Sequence, residues 1–405
     1  PEGFRRPAPR RWSRATVAEC VAALESPNGW VRETVSRLLH ERQDRSAVPG
    51  LEALLAGSGH PMARLHALSS LEGLGALDLR RHLVVALADP DERVRGHAVG
   101  LCEPRVVASD AGAQALRQIL LALAGDPSVA VRRRVALALG AWSGPGREGA
   151  LARILARDAA DPWVRASVLT ALSVGAGEVL SELARVPGFG RGPGQPECLE
   201  ALATLLGGRT DADASAEFLG LVARPEWSSM APRLVRAHLD ALNRSGAPVP
   251  AGKSGVRLGR LFHAAAARAL DTGLPEAERV PSVELLGSAP VPVAMEPLGR
   301  LLDAASPAVR SAAIRSLARL ADPAVAGLLL RPWTVYGPGG RAAVAALLAS
   351  RAERARMLLA AVERGEVPAA ELPAATVRAL QAHATPAVAE AARRLLPREP
   401  SSADT

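Results

Sequence analysis

The chain has 405 residues and a mass of 42.0 kDa; hydrophobic residues make up 48% but aromatics only 3%, so its apolar mass is Ala, Leu and Val. Such a supply favours helices and excludes an all-β sandwich or barrel, which draws on aromatic and β-branched side chains, and Arg, Asp or Pro interrupts every apolar stretch before the ~20 residues that cross a bilayer. A net charge of +8 raises nucleic acid as a partner, yet 48 of the 49 basic residues are arginines scattered among 41 acids, with Lys253 the single lysine, which fits codon composition better than a phosphate-binding surface.

Residues 1–14 read as a linker. Arg5, Arg6, Arg10, Arg11 and Arg14 interleave with Pro7 and Pro9, as in a solvated, semi-rigid spacer, the alternative being a contact with an anionic surface. The start at Pro1, without Met or a signal peptide, leads to the expectation of a piece of something longer.

From 15 to 185 the chain repeats itself. The phrases PNGWVR (Pro27–Arg32), PMAR (Pro61–Arg64), DPDERVR (Asp89–Arg95), DPSVAVR (Asp126–Arg132) and DPWVR (Asp161–Arg165) place arginines 32, 31, 37 and 33 residues apart. A period in the thirties with two helical stretches per unit predicts an α-solenoid of HEAT or armadillo type. The D-P element reads as a helix start, with Asp126 and Asp161 as caps of orphan N–H groups and Pro at the first helical position. After each Arg comes a 3.6-period stripe, as in Val131, Val135, Leu137, Ala138 and Leu139, or Val164, Val168, Leu169 and Leu172, which predicts the inner helix of each pair. Cys20, Cys102 and Cys198 lie far apart with no C-x-x-C and read as small buried hydrophobes.

Between 186 and 259 the phase is lost, and two Gly/Pro-rich loops, VPGFGRGPGQP (Val186–Pro196) and NRSGAPVPAGKSGVRLG (Asn243–Gly259), mark an irregular helical middle. Within the second, APVPAGKS (Ala247–Ser254) imitates a P-loop. A working P-loop follows a strand, and Pro248 and Pro250 remove two N–H donors from the phosphate cradle, so an inter-helix loop is the better reading. A second repeat segment with SPAVR (Ser306–Arg310) runs from 260 to 396, and 397–405 is a polar tail. The whole predicts an all-α, HEAT-like α-α superhelix of roughly ten helix pairs.

Three sets of residues invite a chemical reading. His66 and His97 sit two residues after Arg64 and Arg95, and Glu72 and Glu103 eight after them. Imidazole and carboxylate could hold zinc or iron, but six residues separate each His from its Glu by about 120° around one helix, so the leading reading is a ladder of side-chain hydrogen bonds between repeats. Trp12, Trp30, Trp142, Trp163, Trp227 and Trp333 invite comparison with DNA glycosylases built on HEAT-like repeats, where aromatics and an Asp line a concave groove. Trp30 and Trp163, however, share one phase, and repetition at fixed phase reads as inter-repeat packing. No G-x-S-x-G elbow and no Cys–His–acid set is present, so no catalytic, cofactor-binding or metal-ligating residue is assigned.

PNGWVRETVSRLLHERQD (Pro27–Asp44), ARLHALSSLEGLGAL (Ala63–Leu77), VRGHAVGLCEP (Val94–Pro104) and SRAERARMLLAAVERGEVPAAEL (Ser350–Leu372) together resemble the HEAT region of the large membrane-bound dehydrogenases that carry a c-type haem. In that family a β-propeller similar to glucose or sorbosone dehydrogenases precedes the helical array, and a cytochrome c domain with C-x-x-C-H follows it. The resemblance implies a non-catalytic scaffold linking these two modules in an extracytoplasmic oxidoreductase, with haem c on the parent protein and no cofactor in this chain. The alternatives are a stand-alone adaptor binding a protein partner along its concave face and, further off, an Arg-rich nucleic-acid binder. Specific nucleic-acid binding is not expected, because the phase-locked arginines should be occupied by carboxylates and carbonyls of adjoining repeats.

Overall fold

The computed structural model describes residues 11–209 and 211–396, so the linker arginines up to Arg10 and the tail 397–405 lie outside the described residues. Among the described residues there are 23 α-helices and no strand, as the Ala/Leu composition requires. The chain divides into two compact units, Pro1–Leu202 and Ala203–Thr405.

In the first unit the helices are α1 (Val17–Ala23), α2 (Gly29–Arg42), α3 (Val48–Gly57), α4 (Pro61–Gly73), α5 (Val84–Leu87), α6 (Glu92–Cys102), α7 (Ala111–Leu123), α8 (Val129–Gly140), α9 (Arg147–Asp158), α10 (Pro162–Ala171) and α11 (Ala176–Leu183). Helix α12 (Gln195–Gly207) spans the division. Helices α2, α4, α6, α8 and α10 stack on one another in one layer, and each preceding odd helix packs on its even partner from the other side. That two-layer stack of helix pairs is the solenoid the period predicts.

The second unit continues with α13 (Ala212–Val222), α14 (Ala231–Ser245), α15 (Gly252–Leu270), α16 (Glu276–Leu286), α17 (Val291–Leu301) and α18 (Pro307–Arg319). It ends with α19 (Ala324–Leu330), α20 (Pro338–Ala349), α21 (Ala352–Glu363), α22 (Ala374–Gln381) and α23 (Pro386–Leu395). Here too the even helices α14 to α22 form one layer and the odd helices α13 to α23 the other.

The core between layers is small and aliphatic: Leu68, Leu71, Val99, Leu116, Val135, Leu151 and Val168 in the first unit, Leu234, Val283, Leu298, Leu317 and Leu358 in the second, all without solvent exposure. With few aromatics to fill it, each interface relies on close helix approach and many methyl contacts. Helix starts are fixed locally. Thr16 and Glu19 form a reciprocal capping box on α1, and Asn28, Asp91, Asp110, Asp211 and Ser306 accept N–H groups at the starts of α2, α6, α7, α13 and α18. Helix ends use buried arginines. Arg147, with no exposed surface, donates from Nε to the Leu139 carbonyl at 3.0 Å and from Nη2 to that of Ala171, closing the ends of α8 and α10 together. In the second unit Arg354 does the same for α18 through the carbonyls of Ala318 and Leu320.

Candidate functional site

The repeat arginines occupy one structural position, the fourth residue after the cap on α2, α4, α6, α8 and α10. Each turns its Nη1 back onto the carbonyl six residues earlier: Arg32 on Ser26 at 2.6 Å, Arg64 on Ser58 at 2.8 Å, Arg95 on Asp89 at 2.8 Å, Arg132 on Asp126 and Arg165 on Ala159. In the middle rungs the rest of the guanidinium reaches a carboxylate of the next repeat. Arg64 grips Asp89 with two bonds of 2.7 Å, Arg95 grips Asp126 at 2.8 and 2.9 Å, and Arg132 grips Asp158 with two of 2.6 Å. Two parallel N–H···O⁻ bonds match the planar fork of arginine, and lysine could not make them.

The same turn residues thus serve twice. Asp89 Oδ1 accepts the N–H of Asp91, and Asp126 Oδ1 that of Ser128, both at 2.8 Å, while the carboxylates hold the arginine of the preceding repeat. Burial works against the Asp126 charge, but the Arg95 and Ser128 hydrogen bonds outweigh it and hold its carboxyl below the usual carboxylate range. The hydrogen bond to Asp89 likewise raises Arg64, and that to Asp126 raises Arg95.

This corrects the cap assignment at one of its two positions. Asp161 caps α10, accepting from Trp163 at 2.8 Å, with Pro162 at the first helical position. Asp126 does not cap α8: the cap residue is Ser128, and Asp126 lies one short turn upstream. Asp89 is displaced likewise, Asp91 being the cap of α6. In DPDERVR and DPSVAVR two more residues separate the D-P pair from the arginine than in DPWVR, so the helix starts later while the arginine keeps its place.

The ladder ends at its first and last rungs. Ser58 stands where Asp89 and Asp126 stand in later repeats; its hydroxyl accepts the His60 N–H at 3.1 Å and donates to Glu25 at 2.6 Å. Arg32 therefore meets no carboxylate there, and its Nε is buried without a partner. Arg165 bonds the carbonyls of Ala159 and Ala160.

Beside this ladder runs the row two residues on. His97 Nε2 lies 2.7 Å from Ser69 Oγ of α4, and Glu72 accepts from Arg105 at 2.6 Å, so two of the four residues of the His/Glu pattern make the expected bonds between repeats. Burial, then Arg32, lowers His66; burial, then Arg134 and His66, lowers His97. Among the described residues no group of three or more His, Cys, Asp or Glu side chains is placed to hold a metal ion.

The tryptophans divide. Trp227 and Trp333 are buried, the latter donating to Glu371 at 2.7 Å, and Arg117 lies 5.4 Å above the Trp142 ring. Trp30 and Trp163, expected as inter-repeat packing, are instead 63% and 68% exposed. Both stand at the second residue of an even helix and are exposed there, so the shared phase records a shared exposed edge. The P-loop imitation falls between two helices, α14 and α15, with Lys253 in the first turn of α15. The three cysteines are buried thiols outside any disulfide, and burial pushes Cys102 and Cys198 up to about 12.

On the even helices of the second unit, charges meet in pairs. Glu284 of α16 lies between Arg236 of α14 at 3.5 Å and Arg315 of α18 at 3.3 Å, and one turn along Arg319 reaches Asp240. Sequence reasoning missed these rows, because nothing in the phase-shifted middle marks Arg236 or Asp240 as facing another repeat.

Residues 17–101 and 80–173 match the family model of HEAT repeats. Among solved structures the chain is similar to Kap121p, with 12% identity over 94% of this chain and 45% of Kap121p and a TM-score of 0.61. A triple-mutant form of Kap121p gives 12% identity over 93% of this chain and 44% of the other, with a TM-score of 0.51. The chain thus spans less than half the length of these neighbours, and at that identity the likeness is one of fold. Among curated protein sequences nothing matches.

Proposed function

We propose that this chain is a non-catalytic HEAT-repeat scaffold that binds protein. The observation that carries this reading is the ladder: Arg64, Arg95 and Arg132 each give Nε and Nη2 to a carboxylate of the next repeat, fixing the register of neighbouring helix pairs. A stack so fixed offers a long, stable face, which is what a repeat protein contributes to recognition.

In its finer form the proposal is that the scaffold spaces a β-propeller dehydrogenase module from a cytochrome c electron acceptor in an extracytoplasmic protein. The phrases from Pro27 to Pro104 and from Ser350 to Leu372 support it by their resemblance to that family. No helix among the described residues is long and apolar enough to cross a membrane. Reading the gene on both sides of this segment tests the finer form. A propeller upstream and C-x-x-C-H downstream are expected, and an open reading frame lacking both discards it in favour of the stand-alone adaptor.

A further inference from the structure

Arg32, Arg64, Arg95, Arg132 and Arg165 share one register position on the even helices of the first unit, and the position two residues on carries Thr34, His66, His97, Arg134 and Ser167. Arg134 is exposed and, among the described residues, has neither a hydrogen bond nor an ion pair, although the arginine two residues before it is gripped by Asp158. Its side chain lies across α6, where a Cβ on Gly96 would come 3.3 Å from Arg134 Cδ and one on Gly100 would come 3.6 Å from Nη1. The two glycines open a shallow floor beneath the guanidinium, and Leu137, 41% exposed, stands three residues along the same helix. On the next helix inward His97 bonds Ser69, and beyond it His66 lies near Arg32, whose Nε is buried and unpartnered. The groups facing these histidines from neighbouring helices are Arg32 and Glu33 of α2 and Arg134 of α8, with the histidines facing each other between α4 and α6. Glu33, at one end, is the single acid among them.

The second unit sharpens the contrast. There the even helices supply their own carboxylates, Glu284 to Arg236 and Arg315, and Asp240 to Arg319. In the first unit the ladder carboxylates are used one row deeper, and the outer row lacks its acids.

We infer that the outer row of His66, His97 and Arg134, with Arg32 of the ladder beside its first end, is the docking surface for an acidic segment of a partner protein, one carboxylate closing on Arg134 above Gly96 and Gly100. The inference rests on the protein-binding reading above and names the class of partner. Three steps between packed helices, at about 10 Å each, span roughly 30 Å, the reach of about nine extended residues. Burial first, and then Arg32 beside His66 and Arg134 beside His97, disfavours the charged imidazoles; carboxylates along that line supply the opposite charge, so binding takes up protons. Affinity therefore rises as pH falls through the histidine range.

The test is fluorescence anisotropy of the full chain with a fluorescein-labelled ten-residue peptide of alternating glutamate and glycine. A lysine–glycine peptide and a single-stranded DNA oligonucleotide serve as comparisons. The acidic peptide is expected to bind about fivefold tighter near pH 5.5 than near pH 7.5, and Arg134→Gln to weaken it about fivefold at both. The pair His66→Asn with His97→Asn should lose the tightening at the lower pH, its affinities at the two pH values agreeing within about twofold. Circular dichroism and melting of each variant establish that it folds. Unchanged binding by Arg134→Gln, tightening that survives in the double histidine variant, or DNA held more tightly than the acidic peptide at physiological salt would each overturn the inference. Absent peptide binding together with cross-links from a bound protein that map to other helices would discard this surface and leave the scaffold reading standing.

Discussion

Arg95 and Asp126, 31 residues apart in sequence, close on each other through Nε to Oδ2 at 2.8 Å and Nη2 to Oδ1 at 2.9 Å, and Asp126 is 5% exposed. The pair joins α6 to the turn before α8, so it acts at a repeat interface. Replacing Asp126 with Ala leaves Arg95 half-satisfied and the Ser128 N–H without its acceptor, and should cost about 3 kcal/mol. Urea denaturation measures the loss. Because repeats couple chiefly to their neighbours, amide exchange should rise first in α6 and α8. Parent-like stability with unchanged exchange in those helices contradicts the ladder's energetic role.

The missing first rung can be supplied. Ser58→Asp places a carboxylate where Asp89 and Asp126 stand in later repeats, within the register that serves Arg64 and Arg95. With Glu25 already bonded to Ser58, some like-charge repulsion discounts the gain, leaving about 1 kcal/mol of stabilisation. A double-mutant cycle with Arg32→Met isolates it: the gain should vanish when the guanidinium is removed, and a gain that persists belongs to something other than the rung.

How much of this the sequence displays differs from level to level. The period of the arginines and the aliphatic stripes display the helix pairs, because repetition and 3.6-residue spacing both follow from stacking one unit on the next. The occupied state of the ladder arginines follows from the same phase. What the sequence hides is the distinction between Asp126 and Asp161, since D-P heads both phrases and only the two-residue difference in spacing to the arginine separates a turn from a cap. Exposure at Trp30 and Trp163 is hidden for a related reason: phase fixes where on a repeat a residue sits, and an edge repeats as faithfully as an interface. The Glu284 and Asp240 pairs are hidden because their partners come from helices whose phase the Gly/Pro loops have shifted.

The exposed and buried tryptophans should therefore answer differently to the same change. Trp30→Ala and Trp163→Ala remove exposed side chains and should shift stability by no more than about 0.5 kcal/mol. Trp333→Ala removes a buried ring and leaves Glu371 without its indole donor at 2.7 Å, which should cost about 4 kcal/mol. Melting curves of the three variants are the check; a large loss at Trp30 or Trp163 would return them to the packing role.

His238 gives the second unit a built-in acid sensitivity. Its side chain has no exposed surface, stacks on Phe218 with ring centroids 4.4 Å apart, and lies with Nδ1 3.3 Å from the Ala203 carbonyl, while Nε2 has no partner. Burial dominates and lowers its pKa from 6.5 to about 4, the carbonyl bond opposing it. The folded state thus resists a proton that the unfolded chain accepts. His238 adds no penalty above the unfolded value near 6.5, and the penalty grows as pH falls from there towards 4, with a ceiling of about 3 kcal/mol at roughly 1.4 kcal/mol per unit. The depressed values of His66 and His97 act in the same direction, so the test is a difference. His238→Leu removes the titrating group at nearly constant volume, and urea midpoints across this window should fall less steeply for the variant than for the parent. Equal slopes would show that the imidazole takes up its proton in the folded state without cost, and that His238 is not confined as its burial against Phe218 requires.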